Sequence, residues 1–270
     1  MKDSTKPVAL ITGASAGLGE AFAWQLAARG FDLILVARRR GKLASLAQQL
    51  SRKNAINVEI LPADLSTDTG IRKVGKHIRS LDHLDLLVND AGFSLRGKFA
   101  EQPIERSLDM LQVHDKACVC LTHAALPGMI QRRSGTIINV SSTSAFAPLA
   151  GSVMYSATKA FLVNFSKALQ MENRQYGIKI QVLCPGFFHS EFHDVMRVNK
   201  KAIPKWMFTT AEEVARRSLS ALRRKAVVFV PGFFYQVAMF FVRLPGLGDW
   251  LLLTSSRIVR KRREAFLTVH

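Results

Sequence analysis

The sequence predicts a doubly wound α/β fold: one parallel sheet of about seven strands with helices on both faces. Two observations predict it. Short apolar runs rich in β-branched residues recur at Val8–Ile11, Leu33–Val36, Asn57–Leu61, Leu84–Val88, Thr136–Val140, Ile178–Leu183 and Val227–Val230. Longer amphipathic stretches separate them, and strands that are apolar throughout are buried on both faces, as in a parallel sheet covered by helices. There is no internal repeat, low-complexity segment or long linker, so residues 1–270 are expected to form a single domain. Residues 187–210 break the strand–helix alternation and are aromatic-rich, which suggests a lid, and 231–270 read as a basic C-terminal extension.

Composition narrows the classes. Met1–Pro7 is polar and runs straight into the first apolar run, so no leader peptide is expected. The three cysteines, Cys118, Cys120 and Cys184, show no metal spacing and read as buried thiols in a reducing, cytoplasmic setting. No metal site is expected. Residues 226–242 are almost free of charge, but Pro231 and Gly232 interrupt them and the remainder is too short to span a bilayer. Net charge is +18, with Arg216, Arg217, Arg223, Arg224, Lys225, Arg257, Arg260, Lys261, Arg262 and Arg263 concentrated late in the chain. That balance suits a polyanion, whether anionic lipid or a phosphate-rich substrate, or it is simply a solvated basic face. Peripheral membrane contact through the tail is therefore one expectation. No nucleic-acid-binding motif is visible, and no nucleic-acid partner is expected.

The first run leads into Thr12-Gly13-Ala14-Ser15-Ala16-Gly17-Leu18-Gly19 and then an amphipathic helix. Glycines let the backbone approach a pyrophosphate closely, and the helix N-terminus offers it unpaired N–H groups and a positive dipole end. An NAD site usually carries an acid after the second strand for the ribose 2′-hydroxyl. Here Arg38-Arg39-Arg40 follows Val36-Ala37, which favours the 2′-phosphate of NADP(H), with Arg38 as the expected ligand and the others as solvated helix-start residues. Asp64, ahead of Leu65, is expected either to accept from the adenine amino group or to cap its own loop.

Tyr155 and Lys159 stand four apart at the start of a helical stretch and so share a face. An ammonium beside a phenol favours the phenolate, so Lys159 is expected to lower the Tyr155 pKa. Tyr155 then serves as the proton donor to a carbonyl being reduced. Ser141 and Ser142 end the fifth run, where a hydroxyl can donate to that carbonyl oxygen.

These residues resemble the short-chain dehydrogenase/reductase family, a Rossmann-like fold, over nearly the whole chain. The glycine loop, Asn89-Asp90-Ala91-Gly92, Ser142, Tyr155, Lys159 and Pro185-Gly186 fall in the family's order. The resemblance implies that Gly13, Ser15, Gly17, Leu18, Gly19, Arg38, Asp64, Leu65, Asn89, Ala91 and Gly92 line the nucleotide. It selects Ser142 over Ser141, gives Lys159 a second role on the nicotinamide ribose, and puts Pro185, Gly186, Phe188 and Ser190 beside the nicotinamide. Two departures stand out. Asp90 replaces an asparagine and adds an acid, and His114 stands where the family has a catalytic asparagine that helps hold a water. His114 is expected either to hold that water, titrating near its usual pH, or merely to fill the helix kink.

The resemblance also implies self-association, as a homodimer or homotetramer, through the helices bearing His114 and Tyr155. Phe93, Phe146, Leu149, Val153, Phe187, Phe188, Phe192, Met196, Trp206, Met207 and Phe208 are candidate pocket residues and suit a bulky apolar carbonyl compound, 3-oxoacyl or steroid-like. The competing reading is a membrane-surface or polyanion-binding protein that keeps NADPH only as a structural or sensing ligand.

Overall fold

The structure is a computed structural model and describes residues 6–148, 150–186, 188–189, 209–224 and 226–242. Its sheet has seven parallel strands: β1 (Val8–Thr12), β2 (Asp32–Ala37), β3 (Val58–Pro62), β4 (Leu86–Asn89), β5 (Gly135–Val140), β6 (Ile178–Leu183) and β9 (Val228–Phe229). The spatial order is β3-β2-β1-β4-β5-β6-β9, with the reversal of winding between β1 and β4. All seven expected runs are strands of this sheet. A second pairing, β7 (Phe188–His189) with β8 (Thr209–Thr210), had no counterpart in the sequence reading, since two-residue strands show no periodicity.

Successive strand residues serve opposite cores. Ala9 and Ile11 of β1, with Leu33 and Leu35 of β2, face a layer made with Leu18, Phe22 and Leu26 of α1 (Gly17–Ala27), Leu43 of α2 (Arg40–Lys53) and Val214 of α7 (Ala211–Ala221). Leu10, Ile34 and Val36 face Val74 of α3 (Asp68–Ser80), Leu121 of α5 (Ala117–Arg132) and Leu169 of α6 (Val153–Asn173). Fully burying each such side chain contributes about 1.5–3 kcal/mol, so a sheet apolar on both faces holds both helical layers.

Helix α4 (Ile104–Leu111) runs into α5 through one π-helical turn, Gln112–Lys116. Such a turn inserts an extra residue and swings its side chains out of helical register. The last element among the described residues is α8 (Phe233–Val242), which follows β9, the edge strand beside β6. The expected lid and basic extension fall largely on 190–208 and 243–270, outside the described residues. No described helix is long and apolar enough to cross a membrane.

Candidate active site

Four strand ends converge. Thr12 and Gly13 follow β1, Asn89 and Asp90 close β4, Ser141 and Ser142 follow β5, and Pro185 and Gly186 follow β6. This is the crevice at the carboxyl ends of the strands where open parallel sheets bind ligands. Thr12 Oγ1 accepts from the Asp90 and Ala91 amides (3.0 and 3.1 Å) and donates to Val88 O (3.3 Å), joining the glycine loop to the end of β4. A Cβ on Gly19 would lie 2.6 Å from Gly13 O and 2.9 Å from the Asp90 carboxylate, so only glycine permits this closure. Helix α1 opens after Ala16, which gives no side-chain cap, and the Asp90 carboxylate faces Gly19 in its first turn, so the amides of Gly17 and Leu18 are the ones turned to the crevice.

These residues fit a dinucleotide, and the guanidinium nearest the loop is Arg39, not Arg38. Arg39 donates to Ser15 Oγ (3.2 Å) and Ser15 O (3.4 Å). Arg38 is exposed and acts electrostatically on Asp64, while Arg40 is the first residue of α2. The Asp64 carboxylate takes the Ser66 amide (3.0 Å) and hydroxyl (2.8 Å), the loop-capping role, and its pKa is lowered. Burial opposes that shift, but the Ser66 bonds and Arg38 outweigh it.

Tyr155, Ser142 and Lys159 come together. Ser142 lies close enough to the Tyr155 phenol to favour its charged form, and Lys159 Nζ lies 5.6 Å from the centre of the phenol ring. Ser142 Oγ also accepts the Ser144 amide (3.1 Å), and Ser141 is turned away, donating to Lys159 O (2.7 Å). Lys159 Nζ donates to Val140 O (2.9 Å). The expected lowering of the Tyr155 pKa is not what the protein's own groups produce. Burial, with the charges of Asp90 and Cys184, pushes it up to about 12, although Ser142 acts to lower it. Lys159 is itself brought down to about 8 by burial, so near neutral pH it holds its proton less firmly and has less charge to lend.

The departure at Asp90 adds a buried acid. Its carboxylate accepts the Gly19 amide and feels Lys159, but burial dominates and raises it to about 7. The His114 ring is buried within the π-helical turn. Phe93 N–H donates to Nε2 (3.0 Å), so the neutral ring carries its proton on Nδ1 and donates to Thr158 Oγ1 (2.9 Å). Thr158 Oγ1 donates in turn to Tyr155 O (3.0 Å). Both nitrogens are therefore paired within the protein. Titration near the usual histidine value is corrected too: burial and then Lys159 drive the pKa well down. Beside Lys159, Asn89, Cys118 and the ring lies a cavity of about 10 Å³, roughly the space of one water. The buried Asn89 Oδ1 has no partner among the described residues.

Among the remaining expected residues, Leu65 and Ala91 line that cavity, and Gly92 packs against the imidazole, where a Cβ would be 2.8 Å from Nε2. Phe93 meets His114 edge-on, and His114 meets Tyr155 the same way, with ring centroids 5.9 and 6.0 Å apart. Phe146 packs against a small cluster around Val163 and Val182, and Val153 is exposed. Phe188 lies in β7, whereas Leu149, Phe187, Ser190, Phe192, Met196, Trp206, Met207 and Phe208 fall outside the described residues. Cys118 and Cys184 are buried as expected, but Cys120 is only half-buried, because it turns off the core face of α5. The sequence reading missed Arg39, Thr12 and Thr158. A threonine ending the first strand and another three residues after the tyrosine were the available signals.

A family model described as short chain dehydrogenase matches residues 7–201. The chain belongs to the short-chain dehydrogenase family. It is an NAD(P)-dependent oxidoreductase with that family's Rossmann-like fold. It is 31% identical to hydroxysteroid dehydrogenase-like protein 1 of Gallus gallus, over 94% of this chain and 77% of that one. It is 35% identical to the very-long-chain 3-oxoacyl-CoA reductase of Laccaria bicolor, over 73% of this chain and 59% of the relative. Among solved structures, the short-chain dehydrogenase from Sphingobium yanoikuyae in complex with NADPH superposes with a TM-score of 0.79 at 30% identity, covering 95% of each chain.

Proposed function

We propose that this short-chain dehydrogenase reduces a ketone or aldehyde on a bulky apolar skeleton, 3-oxoacyl or steroid-like, with NADPH. The observation that carries the chemistry is the grouping of Ser142, Tyr155 and Lys159, with Lys159 Nζ 5.6 Å from the phenol ring centre, at the mouth of a dinucleotide crevice. The nucleotide, when bound, supplies the hydride. Gly13, Ser15, Gly17, Leu18, Gly19, Asn89, Ala91 and Gly92 cradle it. Arg39 with Ser15, helped by Arg38, takes the 2′-phosphate, and Asp64 and Leu65 border the adenine side. Pro185, Gly186, Phe188 and Ser190 border the nicotinamide.

Ser142 aligns the substrate oxygen on Tyr155, and Tyr155 Oη gives that oxygen its proton. A phenol held near 12 is fully protonated at neutral pH and ready to act as an acid. Lys159 supports the phenolate that results and holds the ribose. In place of the His114 ring, a water in the cavity between Lys159 and Asn89 Oδ1 is the better candidate to refill the proton, and His114 acts as a brace for the Tyr155 helix. The Gallus and Laccaria relatives, named for steroid and 3-oxoacyl chemistry, support the apolar substrate class. The absence of an acid after β2 and the NADPH-bound Sphingobium structure support the nucleotide preference. The three free thiols suit a reducing cytoplasm. Self-association as a homodimer or homotetramer rests on α4 and α6.

The test follows NADPH absorbance with a panel of 3-oxoacyl thioesters and steroid ketones. Tyr155→Phe is expected to lower turnover by about 10²–10⁴ while NADPH still binds. Unchanged turnover in that variant would sink the assignment. Tight NADPH binding by the wild type without turnover of any carbonyl would favour the ligand-binding alternative.

A further inference from the structure

Helix α8 holds to the body by a narrow stripe. Tyr235 and Met239, one turn apart, are each 7% exposed, and Gln236 Nε2 donates to Val230 O (2.9 Å) at the end of β9. Everything large on its other side is apolar and outward. Phe233 is 81% exposed and Phe240 62%, with Phe234, Val237 and Phe241 exposed between and beside them. The helix carries no charge. Basic residues bracket it: Arg223 and Arg224 are exposed before β9, and the sequence after it carries Arg257, Arg260, Lys261, Arg262 and Arg263.

We propose that α8 docks the protein on an anionic lipid surface, its phenylalanines entering the headgroup–acyl boundary while Arg223 and Arg224 meet lipid phosphates. An uncharged aromatic face between clusters of arginine is the pattern of a helix that lies in a membrane interface. A polyanionic bilayer engages both features at once. A second copy seated on α8 would bring two like-charged flanks together on a chain already at +18, and would repel. The position matters for the reaction. The Tyr235 ring lies so close to Gly186 that a Cβ there would be 2.2 Å from the ring, which pins α8 to the loop after β6. Docking therefore turns the catalytic edge of the sheet toward the bilayer. The proposal does not depend on which carbonyl compound is reduced.

The full-length protein is floated with vesicles of equal phosphatidylglycerol and phosphatidylcholine, and with phosphatidylcholine alone, at physiological salt. Flotation with the anionic vesicles is expected. The combined variant Phe233→Ser, Phe240→Ser, Phe241→Ser should bind them about tenfold or more weakly, with thermal midpoint and reduction of a water-soluble ketone unchanged. A single Phe240→Trp variant should gain emission that lipids with brominated chains quench. Failure to float at any anionic content overturns the proposal. So does a triple variant that floats like the wild type, which would mean adsorption by charge alone. A drop in thermal midpoint without wild-type flotation assigns the face to residues 243–270 of this chain, and a change in oligomer size without flotation assigns it to a second copy; either result overturns docking.

Discussion

At Asp90 a carboxyl group shares buried space with Lys159 and accepts the Gly19 amide, yet burial outweighs both and leaves it at about 7. The folded pKa is raised, so between the ordinary carboxylate value and about 7 the folded chain holds a proton that the unfolded chain releases. Stability then falls as pH rises through that window. Asp90→Asn keeps an acceptor for Gly19 and removes the charge. It is expected to stabilise the fold at pH 8 by about 1–2 kcal/mol and to flatten the loss across the window. Thermal midpoints from pH 4 to 8 check it, and a midpoint at pH 8 below that of the wild type would show that the carboxylate pairs productively with Lys159. At this scale the sequence was only partly legible. The order of Ser142, Tyr155 and Lys159 pointed to the right cluster. The sign of the Tyr155 shift did not follow, because helical spacing cannot reveal how deeply the phenol is buried or that Lys159 is turned onto Val140 O. Nor could the sequence show which guanidinium reaches Ser15, since the turn after β2, and not nearness to the strand, brings Arg39 there.

The π turn between α4 and α5 shows what one element contributes. It points His114 inward, where the ring ties the loop after β4, through the Phe93 amide, to Thr158 on α6 and so to the Tyr155 carbonyl. Three separate segments are braced by one neutral imidazole. His114→Asn has a shorter side chain that cannot span both partners. It is expected to lose about 1–3 kcal/mol of stability while leaving the shape of the kcat/KM profile above pH 6 unchanged, because the buried ring does not titrate there. Calorimetry and the pH–rate profile check the two halves. An acid limb that disappears with the substitution would return the imidazole to the proton path. Elements of ordinary length were legible because burial on both sheet faces leaves strands apolar throughout, and every such run became a strand. The π turn was not, since Gln112–Lys116 has the composition of any helix and its register is set by packing on α6.

Across the whole molecule, apolar surface that the fold leaves outside includes two faces, the α8 face proposed above to meet lipid and a face on α4 and α6 that suits the proposed self-association. On α4, Ile104, Leu108 and Leu111 are exposed at positions that share one helical face, and on α6 Phe161 is exposed and stacked on Phe165 at 5.7 Å. These helices also carry the His114 brace and Tyr155, so a second copy seated there would stiffen the catalytic helices from behind. Contiguous apolar faces of this kind are disfavoured on a free monomer, and the high net charge opposes association unless burial offsets it. Replacing Leu108 and Phe161 by glutamate in one variant puts carboxylates into that contact. Light scattering is expected to report a dimer or tetramer for the wild type and a monomer for the variant. The thermal midpoint should fall by a few degrees, about 2–4 °C per kcal/mol for a chain of this size. Turnover should fall with it, because α6 loses its outer support, whereas NADPH affinity should hold, since the glycine loop and Arg39 lie on other elements. A wild type that is already monomeric, or an oligomer indifferent to both charges, would leave the α4–α6 face without the role given it here.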